Sequence, residues 1–176
     1  MSIKQMRYLF GLVALVWVGV TWAECNPLLK PSYDRSKFVV EPKGVVVDLT
    51  TGLMWQRCPM GYEWKNSACV LPLGAVIAFS WEQALEQAAK VKNFAGFADW
   101  RIPNKNELGS IVDYACAQPA LDTNLFPETQ PAGYWTNSPN TFTPQRAWAV
   151  NFAYGDHMSS IRADLLGVRL VREIPR

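Results

Sequence analysis

The segment Phe97–Leu108, FADWRIPNKNEL, constrains the fold more tightly than any other stretch of the chain. Trp100 is a large side chain that a domain core buries. Pro103 holds the residue before it in extended backbone, so Ile102 must enter as an extended approach. Asn104-Lys-Asn-Glu107 then reads as a helix start, with Glu107 as a capping residue. Leu108, Ile111, Val112 and Ala115 follow at helical spacing, which predicts one buried face with Asp113-Tyr114 near the helix end. The segment is thus expected to form a Trp-anchored corner leading into a capped helix. Arg101 would make a charge-assisted pair with a nearby acid. The rival reading makes Asp99, Arg101 and Glu107 a polar site or a metal clamp.

An earlier run, Asp48-Leu-Thr-Thr-Gly-Leu-Met-Trp55-Gln56, completes the frame. Val45–Asp48 reads as a strand and Leu53–Gln56 as its return, joined by a turn in which Gly52 supplies positive φ. Asp48 and Thr50 favour a turn role, because Asp bonds its own following backbone. Ser80-Trp-Glu-Gln83 is a second capping signal, and Trp81, Ala84, Leu85 and Ala88 make one apolar face of a helix running to about Lys92. Beyond residue 115 the pattern turns to β: Tyr134–Ser138, Ala147–Phe152, a turn at Tyr154–Asp156, a return at Ile161-Arg162, and Gly167–Arg172 with Arg169 exposed. Pro-rich Gln118–Pro131 and Ser138–Pro144 read as ordered loops. Strands, two helices and strands again predict an α+β domain of small antiparallel sheets, loop-rich.

The first residues read differently. Lys4 and Arg7 precede an apolar run from Tyr8 to Val20, and Thr21-Trp-Ala23 ends in a small residue, which predicts a secretory signal over residues 1–23 cleaved before Glu24. An uncleaved anchor and a lipidated Cys25 are the weaker alternatives. Removing that segment takes two of 17 basic residues and none of 15 acidic ones, leaving 15 against 15. The mature chain carries no global positive field for nucleic acid. It is expected to be periplasmic, surface-exposed or extracellular, with no membrane contact after cleavage. Residues 24–44 would form an N-terminal extension and 45–176 the domain proper.

Four cysteines remain: Cys25, Cys58, Cys69 and Cys116. An even count in an exported domain favours disulfides, and three pairings are possible. Cys58 and Cys69 bracket a short turn-rich excursion and form the natural local pair; Cys25 would then tie the mature N-terminus to Cys116. Zinc is disfavoured, since no Cys-x-x-Cys exists and the one His, His157, lies far from every Cys.

The ordered series Asp48…Thr51-Gly-Leu-Met-Trp55-Gln, Trp81-Glu-Gln-Ala-Leu, Gly96-Phe-Ala-Asp-Trp-Arg-Ile-Pro-Asn-Lys-Asn-Glu-Leu, Tyr134-Trp-Thr-Asn-Ser, Ala147-Trp-Ala-Val-Asn-Phe and Val168-Arg-Leu-Val-Arg resembles the C-terminal domain of the Legionella collagen-like protein, from about Val45 to Arg172. The Cys58–Cys69 excursion resembles a recurring feature of that family. Trp100-Arg-Ile-Pro…Glu107-Leu is also similar to a segment of formylglycine-generating-enzyme-like domains. The resemblance implies a variant C-type-lectin-like fold, braced by disulfides, in secreted or surface-exposed binding modules. It carries no established catalytic residue. If every Cys is in a disulfide, none is left for formylglycine-type oxidation.

Candidate site residues are few. Trp55, Trp81, Trp100, Pro103, Trp135 and Trp148, with Arg101 and Glu107, read as fold signature. Tyr62 and Trp64, on the excursion, are the leading candidates for exposed ligand contact, with Tyr134 and Tyr154 behind them. His157, near Asp156, Ser159 and Ser160, lacks a nucleophile elbow and reads as solvated. Asp113 and Asp122-Thr-Asn124 supply oxygens without a calcium signature, so no metal and no cofactor are expected. Arg162, Arg169, Arg172 and Arg176, with Lys90 and Lys92, would form a local basic patch or, better, solvated strand edges. The favoured function is a secreted, non-enzymatic binding or adhesion domain for a glycan, surface polymer or protein partner, met by loops such as Cys58–Cys69 and Asp122–Tyr134. The alternatives are a structural subunit of a surface appendage or envelope complex, and an enzyme with a pocket around Asp99, Arg101 and Glu107.

Overall fold

A computed structural model describes residues 23–175, so the expected signal segment 1–23 lies almost wholly outside the described residues. The strands in chain order are β1 (Glu24–Cys25), β2 (Phe38–Glu41), β3 (Val45–Asp48), β4 (Leu53–Gln56), β5 (Glu63–Lys65) and β6 (Ala68–Val70). Helices α1 (Trp81–Lys90) and α2 (Lys105–Gly109) follow, then β7 (Cys116–Ala117), β8 (Gly133–Pro139), β9 (Arg146–Asn151), β10 (Asp156–Ile161) and β11 (Val171–Glu173). The domain is α+β, with small antiparallel sheets and two disulfides, Cys25–Cys116 and Cys58–Cys69.

The β3–β4 hairpin forms where the sequence places it, with Val46 opposite Trp55 and Asp48 opposite Leu53. The Asp48 carboxylate accepts from the Thr50 N–H at 2.8 Å and the Thr51 hydroxyl at 2.7 Å, which closes the turn. β2 and β11 flank the hairpin, giving a sheet ordered β11-β4-β3-β2; a second sheet is ordered β10-β9-β8. Trp55 and Trp135 are fully buried, each in one of two apolar clusters.

Helix α1 has a complete capping box from Ser80 and Gln83 and buries Ala84 and Ala88. Helix α2 has one from Asn104 and Glu107 but ends after five residues, well short of the helix expected through Ala115. Leu108, Ile111, Val112 and Ala115 are buried all the same. The chain leaves the helix because Asp113 bonds locally: Asp113 Oδ1 accepts from the Ala115 N–H at 3.0 Å, and the Asp113 N–H donates to Ala120 O. A side chain that satisfies nearby N–H groups competes with the helical ladder.

The last run departs most from its expected form. Only Val171–Glu173 is a regular strand. Before it, the chain threads between the sheets and shares its bonds among many partners: Leu166 with Phe79, Gly167 with Gly133 and Trp135, Val168 with Met60, Leu170 with Gln56 and Val171 with Arg101. It is buried on both sides, and that overturns the exposure expected for Arg169, which is 0% exposed.

Candidate functional site

In the signature corner, Trp100 is buried and its indole N–H donates to Phe94 O at 3.0 Å, with the Phe94 ring edge-on. Arg101 holds Glu107 in a two-bonded pair, both contacts 2.8 Å, and reaches Glu173 at 3.2 Å. Glu107 also accepts from the Asn104 N–H at 2.7 Å. Burial pushes the Glu107 carboxyl up, but the Arg101 and Asn104 hydrogen bonds outweigh it and hold it below the usual carboxylate range. Asp99 faces a different partner: it accepts from Arg172 at 2.7 and 3.1 Å, and the Arg172 guanidinium lies 3.9 Å over the Phe97 ring. The small cleft beside Glu107 is lined by Thr51, Asn106, Ser110 and Glu173, and by neither Asp99 nor Arg101. The two acids therefore sit in separate ion pairs.

At Arg169 and Arg172 neither the favoured reading, solvated strand edges, nor the local basic patch holds, because both side chains are buried. Arg172 is buried against Asp99. Arg169 donates to Gln56 O, to Arg57 O and to the Thr129 hydroxyl, and it packs on the Phe126 face. Its Nε finds no acceptor among the described residues, and burial lowers its pKa to about 10. Alternation along the strand does not expose Arg169, because both faces of this segment are covered. Arg162 lies over the Trp81 ring, and Arg176 falls outside the described residues.

Of the four aromatic contact candidates, Tyr134 must be withdrawn. It is 2% exposed, its hydroxyl accepts from the Gln130 N–H at 3.0 Å, and its ring packs edge-on to Phe152. A strand residue beside Trp135 is buried here on both faces of the sheet. Trp64 is half-buried and pinned: its N–H donates to Pro42 O, Arg57 stacks on the ring at 4.8 Å, and Gly44 packs so closely that a Cβ there would meet the ring at 2.4 Å. Tyr62 is half-buried beside it, and Tyr154 is exposed. Trp148 is half-buried under the Lys105 ammonium, 4.4 Å from the ring. His157 is exposed; burial of its inner edge against Gly109, then Lys105, lowers its pKa. Among the described residues no group of three His, Cys, Asp or Glu side chains is placed to hold a metal.

A larger cleft lies elsewhere, between the N-terminal arm and the loop before β8. It measures about 900 Å³. One wall is the arm, with Leu29, Lys30, Tyr33, Asp34 and Arg35; the other is Asp113, Leu121, Asp122 and Asn124, with the Cys25–Cys116 bridge between them. Local bonding shapes each wall. Asp34 caps the turn at Ser36, and Asp122 Oδ1 accepts from the Asn124 N–H at 2.8 Å. Beside the β1–β7 pairing and the Asn26 N–H donating to Ala115 O at 2.7 Å, the walls are joined by the Ser32 N–H donating to Asp113 Oδ1 at 3.0 Å, the Tyr114 N–H to the Ser32 hydroxyl at 2.8 Å, the Asp122 N–H to the Tyr33 hydroxyl, and the Arg35–Asp122 pair. Burial, then Asp113, raises the Tyr33 hydroxyl above the usual phenol range. Asp113 is 94% buried, by its 6% exposure, and Oδ1 takes all its bonds while Oδ2 has no hydrogen bond among the described residues. The sequence marks Asp113 only as a source of oxygens for calcium, and Asp122–Asn124 both as such and as the start of a loop expected to meet a ligand. Nothing in the local pattern announces the arm, because its partners lie more than 80 residues away.

Two short helices on small antiparallel sheets, with every Cys in a disulfide, define a disulfide-braced α+β module of the kind found in oxidising compartments. The chain belongs to the Lcl C-terminal domain family, which matches residues 44–172. No curated protein matches the chain significantly.

Proposed function

We propose that the protein is an exported, non-enzymatic binding module of adhesion type, and that the cleft under the N-terminal arm receives its ligand. The carrying observation is that cleft: about 900 Å³, walled by apolar Leu29 and Leu121, with the polar groups of Asp113, Asp34, Asp122 and Asn124 around it. Such a surface suits a glycan, a surface polymer or an extended segment of a protein partner: hydroxyl or amide donors meet carboxylates while an apolar face lies on the leucines. Two disulfides and membership of the Lcl C-terminal domain family support export. The non-enzymatic reading draws support from the separate engagement of Asp99 and Glu107. Glycan arrays and pull-downs with the mature domain test the proposal. A ligand is expected whose affinity drops at least about tenfold, roughly 1.4 kcal/mol, when Leu29→Arg fills the cleft. A ligand indifferent to Leu29→Arg moves the site elsewhere, and no ligand at all overturns the reading.

One observation favours the alternative of a structural subunit. Strand β2 is a free sheet edge with Val39 and Val40 exposed, and free edges accept strands from other chains. Assemblies on a sizing column that Val40→Lys dissolves would favour it.

A further inference from the structure

The two cystines of the domain sit in opposite settings. Cys58 is only 4% exposed, and the backbone on either side of it is tied down, the Arg57 N–H donating to Gly44 O and the Met60 N–H to Val168 O. Cys69 is half-buried in the β5–β6 hairpin, opposite the Trp64 that packs on Gly44. The two are 11 residues apart, and the surrounding fold positions both without help from the bond. Cys25 is exposed and Cys116 half-buried, and both line the cleft under the arm. They are 91 residues apart, and the strand pairing that joins them is two residues long.

The arm that carries Cys25 has little else to hold it. Every residue from Glu24 to Ser32 is exposed, so no side chain of the arm enters the core before Tyr33. Up to that point its ties are the β1–β7 pairing, the Asn26 N–H on Ala115 O, the Ser32 N–H on Asp113 and the Tyr114 N–H on the Ser32 hydroxyl. Solvent-facing hydrogen bonds contribute little net stability and open locally. The Cys25–Cys116 bond is therefore what keeps this stretch of chain in place as a wall of the cleft.

We infer that Cys25–Cys116 is a reducible latch on the cleft, opened by a dithiol while Cys58–Cys69 stays closed. A thiolate of the dithiol, on a small molecule or a reducing protein, attacks the sulfur of the exposed Cys25. The Cys25–Cys116 bond breaks, and Cys116 leaves as a thiolate that takes up a proton. The second sulfur of the dithiol then displaces Cys25 from the mixed disulfide. Two electrons and two protons have passed to the protein, which holds two thiols, and the dithiol has become a disulfide. Access governs this exchange, so the exposed cystine opens and the buried one resists. Residues 24–32 then leave the wall that carries Asp113, Leu121 and Asp122, and the cleft is lost while both sheets stand. That a ligand is released with it rests on the binding role proposed for the cleft; the opening of the bridge does not.

Titration of the mature protein with dithiothreitol tests the latch, with thiols trapped by iodoacetamide and located by peptide mass spectrometry. Where Cys25 and Cys116 are fully trapped, Cys58 and Cys69 should remain at least about 90% disulfide-bonded. Amide exchange read residue by residue should rise at least about tenfold at Asn26, Ser32 and Tyr114, whose N–H groups bond between the walls, with β3, β4, β8 and β9 unchanged. The double variant Cys25→Ser, Cys116→Ser should show that exchange pattern without reductant and give no further response at the concentration that opens the wild type. The inference is overturned if Cys58 and Cys69 are trapped as early as the other pair, or if thiols appear only as the sheets lose protection. It is equally overturned if the bridge is reduced and Asn26, Ser32 and Tyr114 stay protected. None of these readouts uses a ligand, so the latch and the binding role fail separately. On a glycan array, spots bound by the oxidised protein should weaken at least about tenfold for the reduced protein, and spots bound equally by both forms overturn the gating.

Discussion

The signature corner and the N-terminal arm use similar residues to opposite ends. In the corner, Arg101 and Glu107 close on each other, Asp99 closes on Arg172, and Trp100 fills the core between them. The charges of Asp99, Arg101 and Glu107 are matched inside the chain, while Lys105 lies over the Trp148 ring. Around the cleft under the arm, Asp34, Asp113 and Asp122 also take hydrogen bonds, yet one Asp113 oxygen has no hydrogen bond among the described residues and the walls touch at a handful of points around a disulfide. A matched, buried polar set stabilises a fold; an unmatched oxygen in a cleft remains available to a ligand. The contrast teaches that the motif with the densest chemistry in sequence spends its acids on ion pairs that hold the fold.

That contrast can be broken in graded steps. Trp100→Ala should cost about 3–5 kcal/mol, read as a fall in the urea midpoint for the whole domain. Replacing Cys25 and Cys116 by Ser should cost about 2–5 kcal/mol, taken first from the arm, so hydrogen exchange should rise in residues 24–35 before the sheets open. If both sheets lose protection together, the arm is part of the core and the comparison fails. Glu107→Gln should cost about 1–2 kcal/mol, because it weakens the cap and unpairs Arg101. The pH dependence has a definite sign. The folded Glu107 pKa lies below the unfolded value of about 4.3, so its stabilisation is complete above that pH and is lost as pH falls through the lower folded value. The gap between wild type and Glu107→Gln should therefore narrow below about pH 4, seen in thermal melts across pH. Smallest is Tyr33→Phe, which leaves the Asp122 N–H without its acceptor and should cost about 1 kcal/mol, with the exchange change confined to the arm.

What was legible in the sequence is what is settled by neighbours. The Asp48–Gln56 hairpin, the Ser80 and Asn104 caps and the start of each helix rest on side chains bonding within three residues of themselves. The length of α2 was not legible, because a competing bond at Asp113 and the return at Ala120 end it. The burial of Arg169 was hidden for a related reason. Period-two parity assigns a residue to a face, but it says nothing of whether a second layer covers that face. At the candidate site, Asp122 and Asn124 stood out as loop oxygens, whereas Leu29 and Tyr33 gain their positions from contacts across the chain. The failure at Tyr134 has the same origin, since a Tyr hydroxyl can finish inside a core when a backbone N–H such as that of Gln130 awaits it.

Strand β2 carries a practical consequence. The family match begins at residue 44, while Phe38–Glu41 already pairs residue for residue with Val45–Asp48. A fragment cut at the family boundary would strip β3 of its outer neighbour and leave a run of valines as a raw edge. Anyone trimming this protein for expression should therefore begin at or before Glu24, keeping both the strand and the cystine that secures the arm leading to it, or expect a sticky product.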